Sequence, residues 1–256
     1  MQGFNLNLFL ALLLAHLIGD FWVQTNDMVE EKFKKHYGSP MLYVHTAVVS
    51  LLSLLLVFDW RFWPCAIVLF LSHSVLDGVK TYAPLSCLRA FLLDQFAHLL
   101  VIAGISCFAD RAVEWIPSKW LLIAAVYVFC STPANVLIKL IMKALEVMPE
   151  PKEGEENEDV IEHAGACIGT LERWLVLSFV LVGNYEAAGL VVAAKSMLRF
   201  TDKQGPKTEY VLIGTLISFT MSLACAFLLL TFAFQKNIFD GQPEVAVKVQ
   251  CEHKSK

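Results

Sequence analysis

Met1 to Gly19 contains no formally charged residue. A helix of about 20 apolar residues crosses the hydrocarbon core of a bilayer, and this run is the first of eight comparable stretches. In hydrocarbon, backbone groups must find their hydrogen bonds inside the protein, and unbroken apolar runs of this length do so as helices. The expected fold class is therefore all-α, a polytopic transmembrane helix bundle of about eight helices. No basic segment precedes the first run, so it reads as a retained span and not as a cleaved signal peptide.

The expected helices are roughly Asn5 to Val23, Met41 to Phe58, Phe62 to Val79, Cys87 to Phe108 and Lys119 to Leu145. After a break come Ala164 to Gly183, Ala187 to Phe200, and a last helix that begins near Glu209 and stays uncharged from Tyr210 to Gln235. Pro133 predicts a kink in the fifth helix. The seventh is short and carries Lys195 and Arg199; the count falls to seven if it is re-entrant. Residues 24–37 are polar and read as a loop. Glu146 to His163 carries eight acids and one lysine, and it divides a five-helix part (1–145) from a three-helix part (164–235). Residues 236–256 form a polar tail.

Charged residues are 17% of the chain, against roughly 25% in soluble domains. The formal charge is −4, with no basic footprint for nucleic acid; membrane lipid is the expected partner. The seven cysteines are odd in number and include no C-x-x-C pair, and six lie in or beside apolar runs. They read as packing residues. Lys and Arg in short loops place the 1–2, 3–4, 5–6 and 7–8 connections on the cytoplasmic side.

Ionisable residues are costly within spans and mark function by default. Helix 1 carries His16 and Asp20, helix 3 carries His73 and Asp77, and helix 4 carries Asp94 and His98. Each pair is spaced by four, so its members share one helical face. His precedes Asp on the two helices that run inward, and Asp precedes His on the helix that runs outward. All three pairs thus set Asp nearer the cytoplasm, with His about one turn deeper. His45 on helix 2 joins them at a similar level. Seven His and nine Asp placed at random give about 0.5 such pairs; the chain has four, the fourth being Asp159 with His163 in the acidic run.

Imidazole and carboxylate on facing helices suit a divalent transition metal, Zn, Mn or Fe. The candidate ligands are His16, Asp20, His45, His73, Asp77, Asp94 and His98, and the three carboxylates are candidate catalytic bases. A structural polar network and a proton or ion relay are the competing readings of the same residues. A second set, Glu172, Arg173, Lys195 and Arg199, lies in the same half of the membrane, and Lys80 can join it. It reads as an anion clamp for substrate, or as internal ion pairing and snorkelling.

His16-Leu17-Ile18-Gly19-Asp20-Phe21 with Gln24-Thr25, His45, His73 with Asp77 and Lys80, and Asp94-Gln95 with His98 resemble the N-terminal signature of domain-of-unknown-function family 3307. Gly165, Gly169, Leu171-Glu172-Arg173, Lys195, Arg199, Glu209-Tyr210, Gly214-Thr215-Leu216 and Ser218-Phe219 are similar to the C-terminal region of its longer members. The resemblance runs from Leu8 to Phe234 without the acidic run. It implies a polytopic protein of the bacterial inner membrane and brings no activity with it. The His-x-x-x-Asp pattern is also similar to that of predicted membrane-bound metal-dependent hydrolases.

Three functions follow from these readings. One is a metal-dependent hydrolase acting on an anionic, lipid-like substrate. The second is an ion- or proton-coupled transporter, disfavoured by the lack of an inverted repeat. The third is a membrane scaffold whose acidic loop or tail recruits a partner.

Overall fold

A computed structural model of the chain describes residues 4–82, 88–109, 113, 115–147, 158–200 and 206–234. Most of the acidic run and the polar tail lie outside the described residues. All regular elements among the described residues are helical: α1 (Leu6–Ile18), α2 (Asn26–Lys35), α3 (Pro40–Val57), α4 (Trp63–Lys80), α5 (Leu88–Phe108), α6 (Ser118–Phe129), α7 (Thr132–Ala144), α8 (Glu158–Leu181), α9 (Tyr185–Phe200) and α10 (Pro206–Phe232). Among the described residues, six helices are long and apolar enough to cross a membrane, or seven when α6 and α7 count as one span. The 16-residue α9 is not among them.

The burial pattern is that of an integral membrane protein. Leu51, Leu55, Leu71, Leu93 and Phe96 are more than half exposed, whereas His16, His45, His73, Asp77 and Arg173 are buried. A soluble fold has the opposite preference.

α1 is the central helix. Apart from Asn7 and His16 it is apolar, and Leu8, Leu10, Ala11, Leu12, Leu14 and Leu17 pack among residues of α3, α4, α5 and α6. A helix that is hydrophobic nearly all round belongs inside. Asn5 caps it by accepting from the Leu8 amide at 3.0 Å. A second core, with Val176, Leu177, Phe219, Ala226 and Leu229, joins α8 and α10 to Val126 and Cys130 at the end of α6. Leu122 and Phe129 of α6 touch both cores, so the two parts of the chain share a wall.

Three elements depart from the sequence expectation. The stretch 24–37 contains the helix α2. Thr25 caps it, Asp27 lies in its first turn and three lysines lie toward its end. Lys34 with Glu30 and Lys35 with Glu31 add i,i+4 pairs. These are ordinary determinants of a short polar helix. The expected fifth helix is broken into α6 and α7, bent by 46°. Pro133 stands in the first turn of α7, where its missing N–H costs least. The α8 helix starts at Glu158, six residues before the expected Ala164.

Candidate metal centre

Past Ile18 the first span continues as a single π-helical turn, Gly19–Val23, which carries Asp20. Such turns are rare and concentrate at functional sites. Gly19 lets α3 approach: a Cβ there would lie 2.5 Å from Val49 Cγ2. One helical turn before Val49, His45 thereby comes up against Asp20.

The structure brings together all seven His and Asp residues of the candidate ligand set. Asp20 Oδ1 lies 3.4 Å from His16 Nδ1, 3.4 Å from His45 Nε2 and 3.4 Å from His73 Nε2. His45 Nε2 and His73 Nε2 are 3.2 Å apart, and His45 Nε2 is 3.5 Å from Asp77 Oδ2. On the far side, Asp77 Oδ1 is 3.7 Å from His98 Nε2, and His98 Nδ1 is 3.6 Å from Asp94 Oδ1. Each of these side chains is about 5% exposed or less.

The hydrogen bonds fix where the lone pairs of two imidazoles point, His16 and His98. His16 Nε2 donates to Gln95 Oε1 at 3.3 Å, and the Gln95 amide nitrogen donates to Asp94 Oδ2 at 3.1 Å. The bare Nδ1 of His16 therefore faces the carboxylate oxygen of Asp20. His98 Nδ1 donates to the Asp94 carbonyl at 2.8 Å, so its bare Nε2 faces Asp77. His16 Nδ1, Asp20 Oδ1 and His98 Nε2 are all buried without a hydrogen-bond partner. A lone pair set against a carboxylate oxygen in a dry interior is unfavourable. A cation between the two would relieve it, and a ligating His whose other nitrogen donates to a neighbour is the usual arrangement.

The separations also fit. A tetrahedral ion with N and O donors at roughly 2.0–2.2 Å sets neighbouring donors about 3.3–3.6 Å apart. Three overlapping donor sets could hold an ion: His16, Asp20 and His73; His45, His73 and Asp77; Asp77, Asp94 and His98. A cavity of about 10 Å³ borders His16, His73 and His98, about enough for one water.

Two lysines complete the cluster. Lys80 Nζ lies 2.6 Å from Asp94 Oδ2. Lys32 Nζ lies 2.6 Å from Asp77 Oδ2, and Lys32 is only 4% exposed. Lys32 is the functional candidate the sequence reading missed. Folded back as α2, its segment is pinned to the end of α4. The His36 ring stacks on Tyr82 at 4.4 Å and its Nδ1 meets Thr81 Oγ1 at 2.8 Å. Tyr37 covers Gly78, where a Cβ would lie 2.0 Å from the ring, and its hydroxyl donates to the Val75 carbonyl at 3.0 Å.

Among the described residues, the second charged set does not assemble as one group. Glu172 pairs with Lys195. The Arg199 side chain lies outside the described residues. Arg173 is buried among neutral acceptors: its Nε donates to the Cys130 carbonyl at 2.7 Å, and its terminal nitrogens donate to Ser218 Oγ, the Ser131 carbonyl, Asn135 Oδ1 and Thr170 Oγ1. It thus supplies donors to carbonyls left over at the α6–α7 break. Beside it a groove of about 530 Å³ opens between the π turn and α8, lined by Phe21, Trp22, Asn135, Thr170, Leu171 and Trp174 among others.

Residues 8–128 match the model of a family described as a protein of unknown function, DUF3307. The matched stretch contains every His, Asp and Lys of the cluster and ends before the α6–α7 break. No curated protein and no solved structure matches the chain.

Proposed function

We propose that this integral membrane protein, which belongs over residues 8–128 to that family of unknown function, holds a divalent transition metal in its His/Asp cluster and uses it to hydrolyse an anionic, lipid-like substrate. The observation that carries the reading is the convergence of three imidazole nitrogens, His16 Nδ1, His45 Nε2 and His73 Nε2, on Asp20 Oδ1, which like His16 Nδ1 lacks a hydrogen-bond partner. Zn, Mn and Fe suit mixed N and O donors. Bound there, the metal would polarise an ester and acidify a water.

The chain's own groups supply the rest. His16, His45 and His73 with Asp20 form the donor set. Asp77 and Asp94 lie beside it as candidate proton acceptors. Lys80 and Lys32 offer positive charge to an anionic group. The groove lined by Phe21 and Trp22 adjoins the turn that carries Asp20 and gives a hydrocarbon chain a place to lie. The positive loop charges favour a site opening toward the cytoplasm, in a bacterial inner membrane as the resemblance implies. Glu172, Lys195 and Arg199 remain candidates for contacts to the substrate's polar end.

A second reading has one observation in its favour. The buried Lys32–Asp77 pair and the partly buried Lys80–Asp94 pair are the kind of charge pairs that relay protons or ions in transporters.

Metal analysis of protein purified in detergent without chelators decides between them. The hydrolase reading expects stoichiometric Zn, Mn or Fe, lost in His16→Ala/His73→Ala. Metal-free wild type that drives pH-dependent flux in proteoliposomes would establish the relay instead.

A further inference from the structure

We propose that the cluster takes one divalent ion and not two, and that Lys32 and Lys80 supply positive charge in place of a second ion, forming a clamp for a phosphate group. This rests on the metal reading above and sharpens it in stoichiometry and substrate class.

The cluster offers donors for two ions. One set centres on Asp20 with His16, His45 and His73; the other is Asp77, Asp94 and His98. In the second set both carboxylates are already engaged, each by an ammonium at 2.6 Å. Each ammonium holds Oδ2 and offsets the carboxylate's charge, which leaves a single Oδ1 facing His98 and weakens this set as a second metal site.

Charge points the same way. Asp20, Asp77 and Asp94 contribute −3 and the two lysines +2, so with neutral imidazoles the cluster carries −1. One divalent ion brings it to +1. Two would bring it to +3 in a region of low dielectric, where uncompensated charge is expensive. The single positive charge that remains calls for an anion. Two-metal hydrolases grip phosphoryl oxygens between their ions; here a metal and two ammonium groups offer a comparable grip. Lysine is a common phosphate ligand acting as a point charge.

Lys32 reaches this place only because α2 folds back and is pinned by His36 and Tyr37 against α4. Nothing in the geometry of α2 itself requires the lysine to be buried: Lys34 and Lys35 of the same helix turn outward and pair with Glu30 and Glu31.

The test counts zinc and measures phosphate. Wild type, Lys32→Met/Lys80→Met and Asp77→Asn/Asp94→Asn are purified, dialysed against zinc and analysed for bound metal. The expected contents are one equivalent in wild type, two in the lysine variant and one in the Asn variant. Two equivalents in wild type, or loss of zinc from the Asn variant, overturns the assignment. If the lysine variant does not fold, the Asn variant still decides. Zinc absent from all three overturns the metal reading itself, and this inference with it. Inorganic phosphate should bind the zinc-loaded wild type at least tenfold more tightly than either single variant, Lys32→Met or Lys80→Met; equal binding removes the clamp. Phosphatidic acid in neutral micelles, run in parallel, identifies a lipid headgroup as the source if it binds more tightly than free phosphate.

Discussion

Lys32 and Asp77 are 45 residues apart in sequence and 2.6 Å apart in space, with both side chains shielded from solvent. The pair ties the polar helix α2 to the membrane helix α4 by a buried charge contact. Removing one partner of such a pair strands the other, at about 3–5 kcal/mol. In metal-free protein Lys32→Met should therefore lower stability by that amount, and Lys32→Met/Asp77→Asn should recover much of it. Lys34→Ala, on the same helix but solvent-exposed, should leave the unfolding midpoint unchanged. Thermal or denaturant unfolding in detergent measures all three. Equal effects for Lys32 and Lys34 would show that the burial of Lys32 has no energetic consequence.

That contrast marks where sequence reading stops. Spacing by four and the inverted order on the outward helix made the three His/Asp pairs legible, because helix periodicity and span direction are local properties. His45 was legible by depth. Lys32 was not: beside Lys34 and Lys35 in a polar stretch it reads as a solvated loop charge, and only the fold-back of α2 selects it. Pro133 signals a kink, but not that the helix parts into two with Pro133 in the first turn of the second. The role of Arg173 was not legible, since a lone arginine in an apolar helix looks the same whether it meets an anion or a row of leftover carbonyls. The π turn at Gly19–Val23 left no periodic trace, because one extra residue in a turn shifts a pattern too little to see.

Gly19 is where α1 and α3 come closest. A methyl group there would meet Val49 Cγ2 at 2.5 Å, and overpacking of this kind costs about 1–3 kcal/mol. Gly19→Ala should carry that penalty and also weaken zinc binding, since moving α3 away draws His45 off Asp20. Gly19→Ala/Val49→Ala should restore both. Zinc content and unfolding midpoint, measured on the same preparations, test the coupling. Stability restored without zinc would separate the packing from the site.

Arg173 holds the α6–α7 break through five neutral acceptors, two of them the backbone carbonyls of Cys130 and Ser131. Each buried acceptor left unsatisfied costs about 1–3 kcal/mol. Arg173→Met should destabilise the protein by several kcal/mol. Arg173→Lys should recover little, because an ammonium cannot reproduce a planar fork with five N–H groups. Zinc bound by whatever fraction folds should stay at the wild-type level, since none of the donors is touched. Loss of zinc from folded Arg173→Lys would place Arg173 in the site after all.

Gln95 touches no donor atom that faces Asp20, yet it determines what His16 can do. By accepting from His16 Nε2 and donating to Asp94 Oδ2, it holds the proton on Nε2 and leaves Nδ1 bare toward Asp20. Removing a partner of this kind from a ligating histidine typically costs 10–100-fold in metal affinity. Gln95→Leu should weaken zinc binding by about that factor in a competition titration with a chromophoric chelator. Gln95→Glu keeps an acceptor for His16 but loses the donor to Asp94, so it should lose less zinc affinity than Gln95→Leu without matching wild type. A purely structural network predicts otherwise: Gln95→Leu would lower the unfolding midpoint, and its zinc affinity would match wild type. Measuring both quantities on both variants therefore separates a residue that orients a ligand from one that only fills hydrogen bonds.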